Sequence, residues 1–140
     1  MLDDFRKGAA HVERREAELS NLLTPAEDLY SGQQHVRLMR GIHGYQSANG
    51  NKADVDLWIL SAGYGLVPGD QKLAPYEYTF QGMKKAELRE WADELSVPGE
   101  IRRVLAQPYD LVIVLFGDSY LEASALPRLV KKPTRRSYAR

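Results

Sequence analysis

Between residues 61 and 70 the chain reads Ser-Ala-Gly-Tyr-Gly-Leu-Val-Pro-Gly-Asp, a concentration of the residue types from which ligand loops are built. Glycines at 63, 65 and 69 permit positive φ and let backbone amides come close to a ligand, so the loop could cradle an anion or a ring. Ser61 offers a hydroxyl either to a ligand or to its own backbone. It lacks the glycine-x-serine-x-glycine elbow, and no histidine is placed by sequence to activate it as a nucleophile. Tyr64 adds an aromatic face. Asp70 either orients a water or ribose hydroxyl or, following Pro68-Gly69, serves the turn.

A second aromatic stretch follows at Pro75-Tyr76-Glu77-Tyr78-Thr79. Its rings could stack on a base or sugar with Thr79 as a polar contact, or pack a short edge strand. Glu77 is either a general acid/base or a solvated carboxylate. Further on, Gly117-Asp118-Ser119-Tyr120 would turn the chain and cap a helix over 120–126, whose amino end favours an anion. His35 and His43 lack the i,i+4 spacing of a helical metal pair, and no metal site or cofactor is expected. The phosphate-loop and dinucleotide fingerprints are both missing.

Those loops need elements to hold them. Residues 2–23 carry apolar side chains at near-helical spacing among dense charge, which predicts an amphipathic helix. Thr24-Pro25 with Glu27 three residues beyond Thr24 is a capping-box pattern for a short helix. Residues 33–46 place Val36, Met39 and Ile42 or His43 on one side of a further helix, and 47–53 read as a polar turn. The apolar runs 55–60 and 111–116 are short, nearly continuous and rich in strand formers, the pattern of strands covered on both faces. Helices over 84–95 and 99–105 separate them. Strand, helices and strand predict a right-handed parallel crossover in an α/β fold, with ligands outside the carboxyl ends of the strands. Two strands make a poor sheet, so a further strand or a second chain is expected to complete it.

Bulk properties bound the function. Nineteen basic and nineteen acidic residues among 140 cancel, leaving no global field toward nucleic acid or anionic lipid. The chain has no cysteine, which excludes disulfides, thiolate metal sites and thiol nucleophiles and suits a reducing compartment. A charged start and the lack of any run near the roughly 20 apolar residues of a membrane helix predict a cytoplasmic protein without membrane contact. The expected organisation is an N-terminal helix over 1–23, an α/β domain over 24–127 and a basic, mobile tail over 128–140. That tail includes Lys131, Lys132, Arg135 and Arg136, which either neutralise phosphates of a nucleic acid or are simply solvated.

The pieces Ala26-Glu27-Asp28-Leu29-Tyr30-Ser31-Gly32, Trp58 to Val67, Pro75 to Phe80 and Gly117-Asp118-Ser119-Tyr120 occur in an order that resembles a bacterial and phage group of uncharacterised domains, the peroxide-stress protein YaaA-like group. More distantly, the serine strand end and the glycine-leucine-x-proline piece are similar to a uracil-DNA-glycosylase-like domain of archaeosine synthase. The resemblance spans roughly residues 24 to 124. It implies a small three-layer α/β domain with a short, mainly parallel sheet flanked by helices, and a ligand among nucleobases, nucleotides or nucleic acid. The family's usual first strand, ending in cysteine-serine, has no counterpart here. On this resemblance Ser61, Gly63 and Gly65 would hold the ligand and Tyr64 and Tyr76 would stack on it. Tyr30, Pro75, Thr79, Gly117 and Tyr120 would line the same pocket, while Asp70 or Asp118 would polarise water at a glycosidic bond. The alternative expectation is a noncatalytic DNA- or protein-binding subunit of a defence, stress or mobile-element system, and whether the protein is an enzyme is left open.

Overall fold

A computed structural model describes residues 9–50, 54–75 and 78–126. The chain divides after Thr79 into two compact units. Among the described residues no helix is long and apolar enough to cross a membrane.

The first unit begins with α1 (Ala9–Glu18) and a 3-10 turn, Ser20–Leu22. Next come β1 (Thr24–Pro25), α2 (Ala26–Leu29) and the long α3 (Gln33–Asn49). Three short strands follow: β2 (Trp58–Ser61), β3 (Gly65–Pro68) and β4 (Lys72–Leu73). β2 and β3 form an antiparallel hairpin in which Trp58 faces Pro68, Ile59 faces Val67, Leu60 faces Leu66 and Ser61 faces Gly65. The Gly69 amide donates to the Leu57 carbonyl at 2.9 Å and extends this ladder. β1 and β4 make a second antiparallel pair through Thr24 with Leu73 and Pro25 with Lys72. Ala26, Val67 and Leu73 are buried together, with Leu29, Ile59 and Tyr64 packed against them.

The capping box foreseen at Thr24 does not form. Pro25, extended at φ −51° and ψ 138°, stands at the cap position of α2 without a side-chain hydrogen bond. Thr24 is drawn into the ladder with Leu73, and its hydroxyl donates to the Leu22 carbonyl at 3.1 Å. The opening amides of α2 find carbonyls elsewhere: Ala26 N donates to Gln71 O and Glu27 N to Gly69 O, each at 2.8 Å. A turn distant in sequence thereby satisfies donors that a helix start leaves open.

The second unit contains α4 (Lys85–Glu94), α5 (Val97–Leu105) and α6 (Asp118–Ser124), which pack on one another. Leu88 and Ala92 of α4 are buried, as are Val97, Ile101 and Val104 of α5, spaced four and three residues apart on one helix face. Phe80 is fully buried and meets Tyr120 edge to face at 5.1 Å. Ser124, also buried, closes α6: its hydroxyl donates to Leu121 O and accepts from the Leu126 amide, while Ala125 turns left-handed.

The expected three-layer fold with a mainly parallel sheet is therefore corrected. Among the described residues the structure is helix-rich, with two small antiparallel two-stranded sheets. The physical reason lies in the partner of β2. Residues 65–68, read as a ligand loop, are the strand that pairs with it, and a partner a few residues away costs far less loop-closure entropy than one fifty residues on. The run 111–116, read as a buried parallel strand, is in neither helix nor strand, its residues 111–115 are exposed, and it has no ladder partner among the described residues. Residues 1–8, Tyr76, Glu77 and the tail with Lys131, Lys132, Arg135 and Arg136 lie outside the described residues.

Candidate groove of the first unit

One face of α3, the chain entering β2 and the turn after β3 enclose a groove of about 500 Å³. Met39, Ile42, His43 and Gln46 come from α3, whose 3.6-residue repeat sets positions 39, 42, 43 and 46 on one side. Val55, Asp56, Leu57 and Trp58 come from the chain entering β2, and Pro68, Gly69 and Asp70 from the end of β3. Glu27, the second residue of α2, completes it.

Gly69 is the hub of this construction. Its amide binds Leu57, its carbonyl accepts from Glu27, and a β-carbon placed on it would stand 3.0 Å from Leu57 Cδ2 and 3.1 Å from Glu27 Oε2. A side chain there would make both neighbouring side chains give by a few tenths of an ångström. Glu27 also fixes α3, because its carbonyl accepts a 2.7 Å hydrogen bond from His35 Nε2. The ring of His35 meets Tyr30 edge to face at 5.8 Å. A second hollow, about 430 Å³, continues from there along Asp28, Tyr30, His35, Val36 and Arg40, sharing Glu27, Met39 and His43 with the first.

Three carboxylates, Glu27, Asp56 and Asp70, line the larger groove, and among the described residues of its lining there is no lysine or arginine. Such a site attracts hydrogen-bond donors and cations and repels phosphate. Trp58, half-buried, supplies an aromatic surface in the same groove. No group of three or more His, Asp or Glu side chains among the described residues is arranged to hold a metal ion.

The residues singled out from sequence distribute unevenly around this groove. Asp70 lines it and is exposed. Tyr30 lines the adjoining hollow. Ser61 is buried, and its hydroxyl accepts from the amides of Gly63 at 3.2 Å and Tyr64 at 3.0 Å, so of its two readings the backbone contact is the one observed. Gly63 and Gly65 are buried in the hairpin, Gly65 at φ 79°. The Tyr64 phenol accepts from the Ala74 amide at 3.3 Å and hydrogen-bonds Glu16 of α1. Burial, then that bond and the charge of Glu16, push its pKa above the usual phenol range, against the opposing pull of the Ala74 amide. Pro75 is half-buried and Thr79 exposed. Gly117, Asp118 and Tyr120 belong to the second unit, where Asp118 opens α6 and Tyr120 packs on Phe80.

Sequence reading did not single out Glu27, His43, Asp56 or Trp58 as groove residues. The spacing that sets Val36, Met39 and Ile42 or His43 on one side signalled a shared face, but nothing local signalled what that face would meet.

Residues 17–136 match the model of a family described as a family of unknown function, DUF6884. The chain belongs to that family. The matched span contains every residue of the groove, so the groove lies in the DUF6884 region itself. No curated protein and no solved structure matches this DUF6884 chain.

Proposed function

We propose that the first unit binds a nucleobase or nucleoside in the groove between α3 and the end of the β2–β3 hairpin. The observation that carries this reading is the joint lining by Trp58 and three carboxylates, Glu27, Asp56 and Asp70, in a volume suited to a small molecule. A planar heterocycle stacks on the indole, and its ring and exocyclic N–H groups donate to carboxylates. Ribose hydroxyls are donors of the same kind. Phosphate is disfavoured by the carboxylates, so unphosphorylated ligands are preferred. The resemblance of residues 58–67 and 75–80 to YaaA-like domains points to the same ligand class.

Within this reading Asp70, exposed at the groove's edge, is the candidate to polarise water or to offset positive charge developing on a sugar during cleavage of a glycosidic bond. Asp118 belongs to the second unit, at the start of α6. Binding without turnover would make the protein a noncatalytic sensor or subunit of the same specificity.

Trp91 is the second of the chain's two tryptophans, so in a Trp91→Phe variant quenching of Trp58 reports occupancy of the groove. Titration with bases, nucleosides and nucleoside 5′-monophosphates should give saturable quenching, with monophosphates weaker by about tenfold or more from charge repulsion. Asp56→Asn should weaken base binding and narrow the gap to the monophosphates. Saturation by no base or nucleoside, or tighter binding of monophosphates, would overturn the reading. Release of free base, followed by mass spectrometry and lost in Asp70→Asn, would identify the enzyme.

A further inference from the structure

The segment Leu111-Val112-Ile113-Val114-Leu115-Phe116 joins α5 to α6 and is, among the described residues, the longest run of exposed large apolar side chains. Leu111 is 75 % exposed, Ile113 72 % and Leu115 52 %, whereas Val112 and Val114 are 45 % and 41 % exposed. The alternation is that of extended chain with its odd-numbered residues turned outward. Among the described residues no backbone hydrogen bond is made by positions 111–116. Six uncharged strand formers with free edges, lacking proline and glycine, are a template for another strand.

The sequence names the strand that fits. Leu111-Val112-Ile113-Val114-Leu115 reads the same in both directions about Ile113. Antiparallel pairing of two copies with Ile113 opposite Ile113 sets Leu111 against Leu115 and Val112 against Val114, so each side chain meets one of its own kind. An isologous two-fold interface requires this reciprocity. Charge chooses the same register. Centring the pair on Val114 would bring Asp110 toward Asp118 at the start of α6, and a parallel in-register pair would set Asp110 beside its own copy, both unfavourable. Centring on Ile113 places Asp110 across from Phe116 and Asp118 across from Pro108.

We propose that residues 111–115 form an antiparallel two-fold contact with the same residues of a second copy, centred on Ile113. This contact is independent of the ligand assigned to the first unit. Because the chain has no cysteine, single substitutions report the register cleanly. Full-length Ile113→Cys, Leu111→Cys and Leu115→Cys are oxidised at matched concentration and resolved without reductant, with circular dichroism confirming that each keeps the parent's helix content. Ile113→Cys should cross-link at least about tenfold more than either other variant alone, because its two copies lie within disulfide reach. Two copies of position 111 are four residues out of register, about 13 Å apart at the strand rise. A mixture of Leu111→Cys and Leu115→Cys should form the heterodimer. Sedimentation velocity should show concentration-dependent dimer for the parent chain and monomer for Ile113→Lys. Equal cross-linking at all three positions, no cross-link at Ile113→Cys, or a parent chain that sediments as monomer at every concentration would overturn the proposal.

Discussion

Tyr64 ties three segments of the first unit together. Its phenol binds Glu16 of α1, accepts the Ala74 amide beyond β4, and its ring packs on the core of Ala26, Val67 and Leu73. The raised pKa has a stability consequence. Below about pH 10 the phenol is protonated in both folded and unfolded chain and adds no pH dependence. Above that, the unfolded chain ionises first while the folded chain keeps its proton, so the unfolded state gains and stability falls as pH rises toward the folded-state value. Chemical denaturation between pH 8 and 11 should therefore show a steeper alkaline loss for the parent than for Tyr64→Phe. Parallel pH profiles for the two proteins would mean that the phenol is not held protonated by the fold.

At the scale of the element, the β2–β3 hairpin decides the architecture of the first unit. Its three-residue loop, Ala62-Gly63-Tyr64, is closed by Ser61 Oγ accepting two amides and by Gly65 at φ 79°, in the region that a side chain makes costly. Ser61→Ala would leave both amides without that partner in a buried turn, a loss of about 1–3 kcal/mol. Gly65→Ala adds left-handed strain of about 1–2 kcal/mol. Both substitutions should lower the urea midpoint without altering its slope, as unfolding exposes the same surface. A turn that served only to present Ser61 to a ligand would instead tolerate Ser61→Ala with an unchanged midpoint. Exposed ion pairs such as Glu100 with Arg103 at 2.7 Å, which lowers the Glu100 pKa by hydrogen bonding, contribute far less than this turn.

The whole molecule is electrically balanced, with formal net charge zero and an isoelectric point near 6.8. Self-repulsion between copies is weakest there, and the outward face of Leu111, Ile113 and Leu115 is uncharged. Solubility, read as the polyethylene glycol concentration at half precipitation, should be lowest near pH 6.8 and rise on both sides; a monotonic trend across pH 5.5 to 8.5 would contradict this. The balance also shapes the proposed ligand chemistry. With no net charge the chain has no monopole field, so under the proposed function selectivity at the groove would rest on its local carboxylates.

Much of the local structure was legible from residue order. The apolar stripe of Leu88, Trp91 and Leu95 signalled the helix observed over Lys85–Glu94, and the helix expected over 99–105 is found as Val97–Leu105, because a 3.6-residue repeat is a property of the segment itself. The turn character of Gly63 and Gly65, the lack of any disulfide and the helical face shared by Met39 and Ile42 or His43 follow equally from local chemistry. Strand partnership does not. Residues 58–61 and 111–116 carry the same apolar pattern, yet one is paired by its neighbour at 65–68 and the other has no ladder among the described residues, because pairing depends on which edge arrives in space. The groove was hidden for the same reason. Glu27 joins Asp56 and Asp70 only because Ala26 and Glu27 donate to carbonyls more than forty residues away, at Gln71 and Gly69. Sequence alone determined which segments would turn or coil; tertiary hydrogen bonding decided which carboxylates would face one another.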